Sequence, residues 1–183
     1  CEVCVPGLLD FIIFMGDHHM VDVKKFHIKF MKGFVSLLMK KLFVNFQNKL
    51  IDAVKKYPQL RAPSDFETIK SLTNGYLSDG NMMGEGWLLT GEMLELIHSG
   101  IDNIICTQPF GCLPNHIVGK GMIRAIRKQH PTANIVAIDY DPGATKTNQE
   151  NRIKLMLSVA REKIEQQETA QATAQKQQTV NVK

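Results

Sequence analysis

Cys106, Cys112 and His116 are the residues whose types and spacing could do chemistry in this sequence: two thiols and an imidazole in a short run that also holds Gln108, Gly111 and Pro114. Cys112 follows a glycine, and a helical pattern resumes just beyond it. The positive end of a helix there favours a thiolate, which suits either a metal or a nucleophilic role. Cys106 lies inside an apolar run that reads as a strand, where core packing competes with ligation. The spacing of the two cysteines is looser than the tight, repeated spacing of zinc fingers and ferredoxins, so it does not define a metal site by itself. Cys112 and His116 also have the composition of a nucleophile and its base, although no oxyanion-hole pattern or third member accompanies them.

Other groups offer less. Gly84, Glu85 and Gly86 precede Trp87 and could let backbone amides approach a phosphate or a carboxylate; a tight helix entry would use the same glycines. Asp139 and Asp141 follow a strand and could contact a ribose or carry a proton, with turn formation as the plainer role. Arg152 could pair with a ligand anion or be a surface arginine. Asp17, His18, His19 and His27 resemble a metal cluster in composition but lack an i, i+4 pair with a carboxylate base, which leaves loop histidines. Residues 141–147 lack phosphate-loop spacing.

The elements that must position these residues follow from hydrophobic rhythm. Residues 2–5 read as a short strand stopped by Pro6 and Gly7, and an apolar helical turn or two follows through Met15, then a polar connection over residues 17–27. Met31, Val35, Leu38, Leu42, Phe46, Leu50 and Val54 recur at helical steps within residues 28–57, a stripe that must face a core or a partner. Ser64 and Glu67 have capping-box spacing, predicting a helix to about Ser78, and residues 79–86, with three glycines, form a loop. A helix from Trp87 to Ile97 ends at Gly100; residues 103–106 are a strand, 116–130 a helix, 134–139 a strand, and Thr147 opens a last helix. Strand and helix alternating with short connections specify an α/β fold: a Rossmann-like parallel sheet flanked by helices, with a long helical insertion at 28–78. In such a sheet the turns after residues 5, 106 and 139 meet at the carboxyl edge, where ligands bind.

Composition sets the outer limits. At 183 residues, 44% hydrophobic and 22% charged, the chain supports one core, expected as a single lobe over residues 1–165. From Gln166 the sequence turns to Gln, Thr and Ala, predicting a disordered polar tail over 166–183. Four cysteines without an export signal favour reduced thiols and a cytoplasmic setting; no run of eighteen apolar residues occurs, so no membrane span is expected. The start at Cys1, without a methionine or a leader, reads as a fragment of a longer protein. The net charge of +4 comes largely from lysines in the first third, without interleaved aromatics or arginines, which reads as a solvated helix face rather than a nucleic-acid surface.

The run IICTQPFGCLPNHIVGKG at 104–121, followed by NIVAIDYDPGA at 134–144 and NRIKL at 151–155, closely resembles the C-terminal part of acyl-CoA dehydratase activase-related proteins of the 2-hydroxyacyl-CoA dehydratase superfamily. GEGWLLTGE at 84–92 and, more loosely, VPGLLDF at 5–11 extend the resemblance over most of the chain except its tail. It implies an iron-sulfur electron-transfer protein of anaerobic metabolism with a low-potential cluster of the 4Fe-4S type. Cys112 is then a metal ligand and Cys106 a second candidate, with Gly84, Glu85, Gly86, Gln108 and His116 around the cofactor. The implied partners are other dehydratase or activase domains or subunits and a CoA thioester. One cysteine segment is too few for a whole cluster, so the remaining ligands would come from elsewhere and the chain alone would not be an active enzyme. The alternative is a non-catalytic docking or regulatory domain that binds a partner subunit through the helical insertion.

Overall fold

The computed structural model describes residues 2–141, 143 and 145–180, with side chains through residue 171. Cys1, part of the N-terminal cysteine pair, Pro142 and Ala144 in the turn after the second strand, and the tail's end at 181–183 lie outside the described residues. The described elements are α1 (Leu8–Phe26), α2 (Phe30–Val54), α3 (Phe66–Leu72), α4 (Leu88–His98), β1 (Asn103–Pro109), α5 (Ile123–Gln129), β2 (Asn134–Tyr140) and α6 (Lys146–Val180). None of these helices is long and apolar enough to cross a membrane.

The architecture is mixed α/β, and among the described residues its sheet has two strands. β1 and β2 run parallel with Cys106 level with Ala137 and Gln108 level with Asp139. Phe110 N–H donates to Tyr140 O and Asn134 N–H to Asp102 O, so the even-numbered positions of β2 turn toward β1. The odd-numbered carbonyls face the other way. There, Arg127 Nη2 reaches Ile135 O at 2.5 Å, Arg152 Nη1 reaches Ala137 O at 3.0 Å and Gln149 Nε2 reaches Asp139 O at 3.3 Å. A larger Rossmann-like sheet would pair a strand along that row; here side chains from α5 and α6 take the acceptors instead. Arg152 is therefore a structural donor in this fold.

Two apolar clusters hold the chain together. Ile104, Cys106 and Ile135 on one sheet face pack with Met93, Leu94 and Ile97 of α4 and with Ile126 of α5. Ile13, Phe14, Phe66, Ile69, Trp87 and Leu88 form the second cluster, joining α1 and α3 to the start of α4. Trp87 is fully buried there, its ring 5.4 Å from Phe14 edge-on and 5.6 Å from Phe66. Such ring pairs add about 0.5–1.5 kcal/mol each beyond area burial.

Several boundaries differ from expectation, each for a local reason. Residues 2–5 lie in neither strand nor helix. Residues 17–26 continue α1 rather than forming a connection, because the polar side chains are paired: buried Asp17 meets Lys40 at 2.6 Å and Lys70 at 2.5 Å. His18 and His19 thus sit on a helix, and His27 closes it in the left-handed region (φ 54°), with the N–H groups of His27 and Ile28 bonded to Val23 O and Asp22 O. The insertion at 28–78 is α2, a turn and a short α3. Asp65, not Ser64, caps α3 by accepting from Thr68 N–H at 3.0 Å, while Ser64 Oγ donates to Glu95. α3 stops at Leu72, well before Ser78, in the turn leading to Gly75 (φ 86°). β1 continues to Pro109, which places Cys106 in mid-strand and Gln108 inside the sheet. Residues 166–180, expected to be disordered, prolong α6. Their composition correctly signals exposure through residue 171, but Gln, Ala and Glu without Gly or Pro also favour helix.

Candidate functional site

The thiol site is built from a strand end and an irregular helix start. β1 ends at Pro109, Gly111 takes φ +70° to turn the chain, and Cys112 N–H bonds back to Pro109 O at 3.3 Å. The helical segment that follows opens as a π-turn at Asn115–Gly119 and tightens to a 3-10 turn at Lys120–Met122 before α5. Glycines permit this irregularity. A Cβ on Gly121 would lie 2.7 Å from His116 O, and one on Gly119 would lie 3.4 Å from Cys106 Sγ. Thr90 Oγ1 donates to Val118 O and ties the π-turn to α4. Single π-turns inside helices occur often at functional sites.

Within this frame the two cysteines part company. Cys112 is half-buried, and its sulfur accepts a hydrogen bond from Asn115 Nδ2 at 3.1 Å. Cys106 is buried in the cluster beneath α4. Burial pushes its thiol above the usual cysteine range, and the nearby Asp139 and Glu92 carboxylates push it further. Cys106 is a packing residue in this geometry. Cys4 packs against the same cluster.

The other candidates divide in the same way. Gly84 (φ 62°) meets the thiol loop directly, because a Cβ there would sit 3.1 Å from Pro114 Cγ. Gly86 (φ 52°) is forced by space: a Cβ would fall 2.2 Å from Asn81 O and 2.9 Å from Phe14 Cζ. The N–H groups of Gly86, Trp87 and Leu88 bond to Met83 O, Asn81 O and Glu85 O, so the turn spends these amides internally rather than on a phosphate. Gln108 is buried and donates through Nε2 to Asp139 Oδ1, its neighbour across the sheet. His116 is exposed; among the described residues the donor to the Cys112 sulfur is Asn115.

Sequence reading passed over two residues that matter here. Asn115 is buried and gives one amide hydrogen to Cys112, and among the described residues neither its Oδ1 nor Gln108 Oε1 has a partner. Two buried acceptors beside the thiol loop call for water or another donor. The only clue to Asn115 was its place three residues past Cys112. Glu92 is the second. Burial, with repulsion from Asp10, Glu85 and Glu95, pushes its carboxyl up to about 8. A carboxylate on the apolar α4 was the signal in that case.

The donor set does not fit a resident cluster. Among the described residues no three His, Cys, Asp or Glu side chains come together as a metal-holding group; Cys106 lies in the core and Cys4, half-buried, packs against it. What fits is one sulfur ligand, Cys112, with a hydrogen-bond donor of its own. A separate cleft of about 400 Å³ runs along α1 and α2, lined by Asp17, Lys24, Lys40, Lys41 and Glu67. Lys40 there is already paired with Asp17 and Glu67. Compared with family models, with curated proteins and with solved structures, the chain matches none of them.

Proposed function

We propose that this chain presents Cys112 as a single sulfur ligand to an iron-sulfur cluster whose other ligands come from outside the described residues. The observation that carries the reading is the hydrogen bond from Asn115 to a half-buried Cys112 sulfur on a strand-end loop, against which the Gly84 turn packs. Hydrogen bonds to cysteine sulfur are among the levers by which proteins tune such clusters. When bound, the cluster would supply low-potential electron transfer. The chain's own part is to hold one sulfur and keep a donor on it. The sequence resemblance supports the same class and names the other components of a dehydratase or activase system, and a CoA thioester, as the expected partners. A cytoplasmic setting and a larger Rossmann-like lobe belong to this reading as well.

Anaerobic reconstitution with ferrous iron and sulfide, with glutathione supplied to complete the ligand set, tests it. Wild type should gain broad visible absorption and bound iron; Cys112→Ala should lose most of both, and Cys106→Ala should keep them. A colourless wild type, or iron content unchanged in Cys112→Ala, would falsify the assignment.

A second reading has its own observation. The outer face of α2 is apolar and open to water, as a docking domain would require.

A further inference from the structure

We infer that α2 pairs with α2 of a second copy of this chain, antiparallel, across the face turned away from α1. The inference rests on the docking reading and commits it to one occupant. α2 buries Gly33, Ser36, Gln47 and Ile51 toward the rest of the chain, and a Cβ on Gly33 would overlap the Val23 side chain of α1. Its large apolar side chains lie on the other side. Phe30, Phe34, Leu38, Leu42, Phe46 and Leu50 are all 47–62% exposed. A helix apolar on the side away from its own core has that side covered by something.

Two features select a second copy. The first is area. These six with Met31, Val35 and Met39 leave on the order of 800 Å² of apolar surface in water, about what each partner of a standard complex contributes and more than the ~300–600 Å² patch of an ordinary monomer. The second is order. The middle of the face reads alike from either end about residue 40: Phe34 mirrors Phe46 and Leu38 mirrors Leu42, Phe30 and Leu50 mirror each other on its two flanks, and Met31, Val35 and Met39 mirror the polar Lys49, Asn45 and Lys41. An antiparallel two-fold pair brings each residue level with its mirror position on the partner helix, which is the self-complementarity an isologous interface needs. Lys41 and Lys49 lie where their stems can cover apolar surface while their ammonium groups reach water.

Sedimentation velocity of the chain over a wide concentration range tests the pairing, with Leu38→Glu plus Leu42→Glu as the variant and far-UV circular dichroism as the check on folding. Wild type should be dimeric, and the double variant should keep its helix content while dimerising more than roughly 100-fold less tightly. A monomeric wild type, or a dimer that the double variant preserves, overturns the proposal. Binding of an apolar fluorescent dye separates the two levels. A monomer whose dye binding is lost in the double variant has an open face awaiting a different partner, so only the second copy fails. A monomer that binds no dye sinks the docking reading as well.

Discussion

The lobe formed by α4, β1, α5 and β2 and the hairpin formed by α1 and α2 solve the problem of burial in opposite ways. In the lobe the interior is apolar, from Leu94 to Ile135, and backbone acceptors on the outer edge of β2 are met by Arg127, Gln149 and Arg152. In the hairpin much of what joins the helices is polar: Asp10 accepts from Gln47 at 2.6 Å, Gln47 in turn accepts from Phe66 N–H, and Asp17 holds two lysines. Apolar side chains on α2 face water. The contrast teaches that apolar periodicity marks a face needing cover without saying which chain supplies it.

The largest way to sharpen the contrast is to truncate one side chain in each region. Trp87→Ala should cost about 3–5 kcal/mol in denaturant unfolding, since it empties the centre of the aromatic cluster. Leu38→Ala, measured where the chain is monomeric, should change stability by less than ~0.5 kcal/mol. Equal losses would mean that the α2 face is covered within the chain.

Acidity probes the lobe next. The Glu92 carboxyl is raised in the folded state from an ordinary 4.5 to about 8, so between those values the native protein holds a proton that the unfolded chain has released. Its contribution to stability is complete below about 4.5 and is lost as pH climbs to about 8. Each tenfold difference in proton affinity between the folded and unfolded chain is worth ~1.4 kcal/mol, so the swing amounts to a few kcal/mol. Glu92→Gln should flatten that decline in a pH series of unfolding curves; an unchanged slope would show that the carboxyl is solvated. The hairpin's Asp22 works in the opposite sense, since its bond to Lys29 holds it below the usual range and its contribution is lost only in acid.

Arg152→Ala should give a smaller effect, about 1–3 kcal/mol, because it strips a donor from the Ala137 carbonyl. Thermal unfolding reads the loss directly. A shift as slight as that of an ordinary surface arginine would mean that water replaces the donor without cost.

How much of this was legible beforehand depends on the kind of signal. Strand β2, the end of α4 at Gly100 and the parallel pairing were readable, because short apolar runs and a positive-φ glycine are local. The length of α1 was not. Asp17 looks like a connection residue until Lys40 and Lys70 arrive from distant sequence, and Asp22 until Lys29 folds back from just beyond the helix. The closure of the β2 edge was hidden for the same reason: side chains that periodicity reports only as surface take its acceptors. At the candidate site, Cys112 on a strand-end loop was readable from glycine and proline, and Cys106 in an apolar strand from its neighbours, whereas Asn115 sits at the start of a π-turn. Gly119 and Gly121 hinted at it without specifying it.

The row of donors along β2 also gives the sheet a direction of growth. A strand arriving on that flank would have to displace one seated side chain for each of these three carbonyls it took. Templated self-assembly through the β2 margin is thereby disfavoured without a proline or bulge.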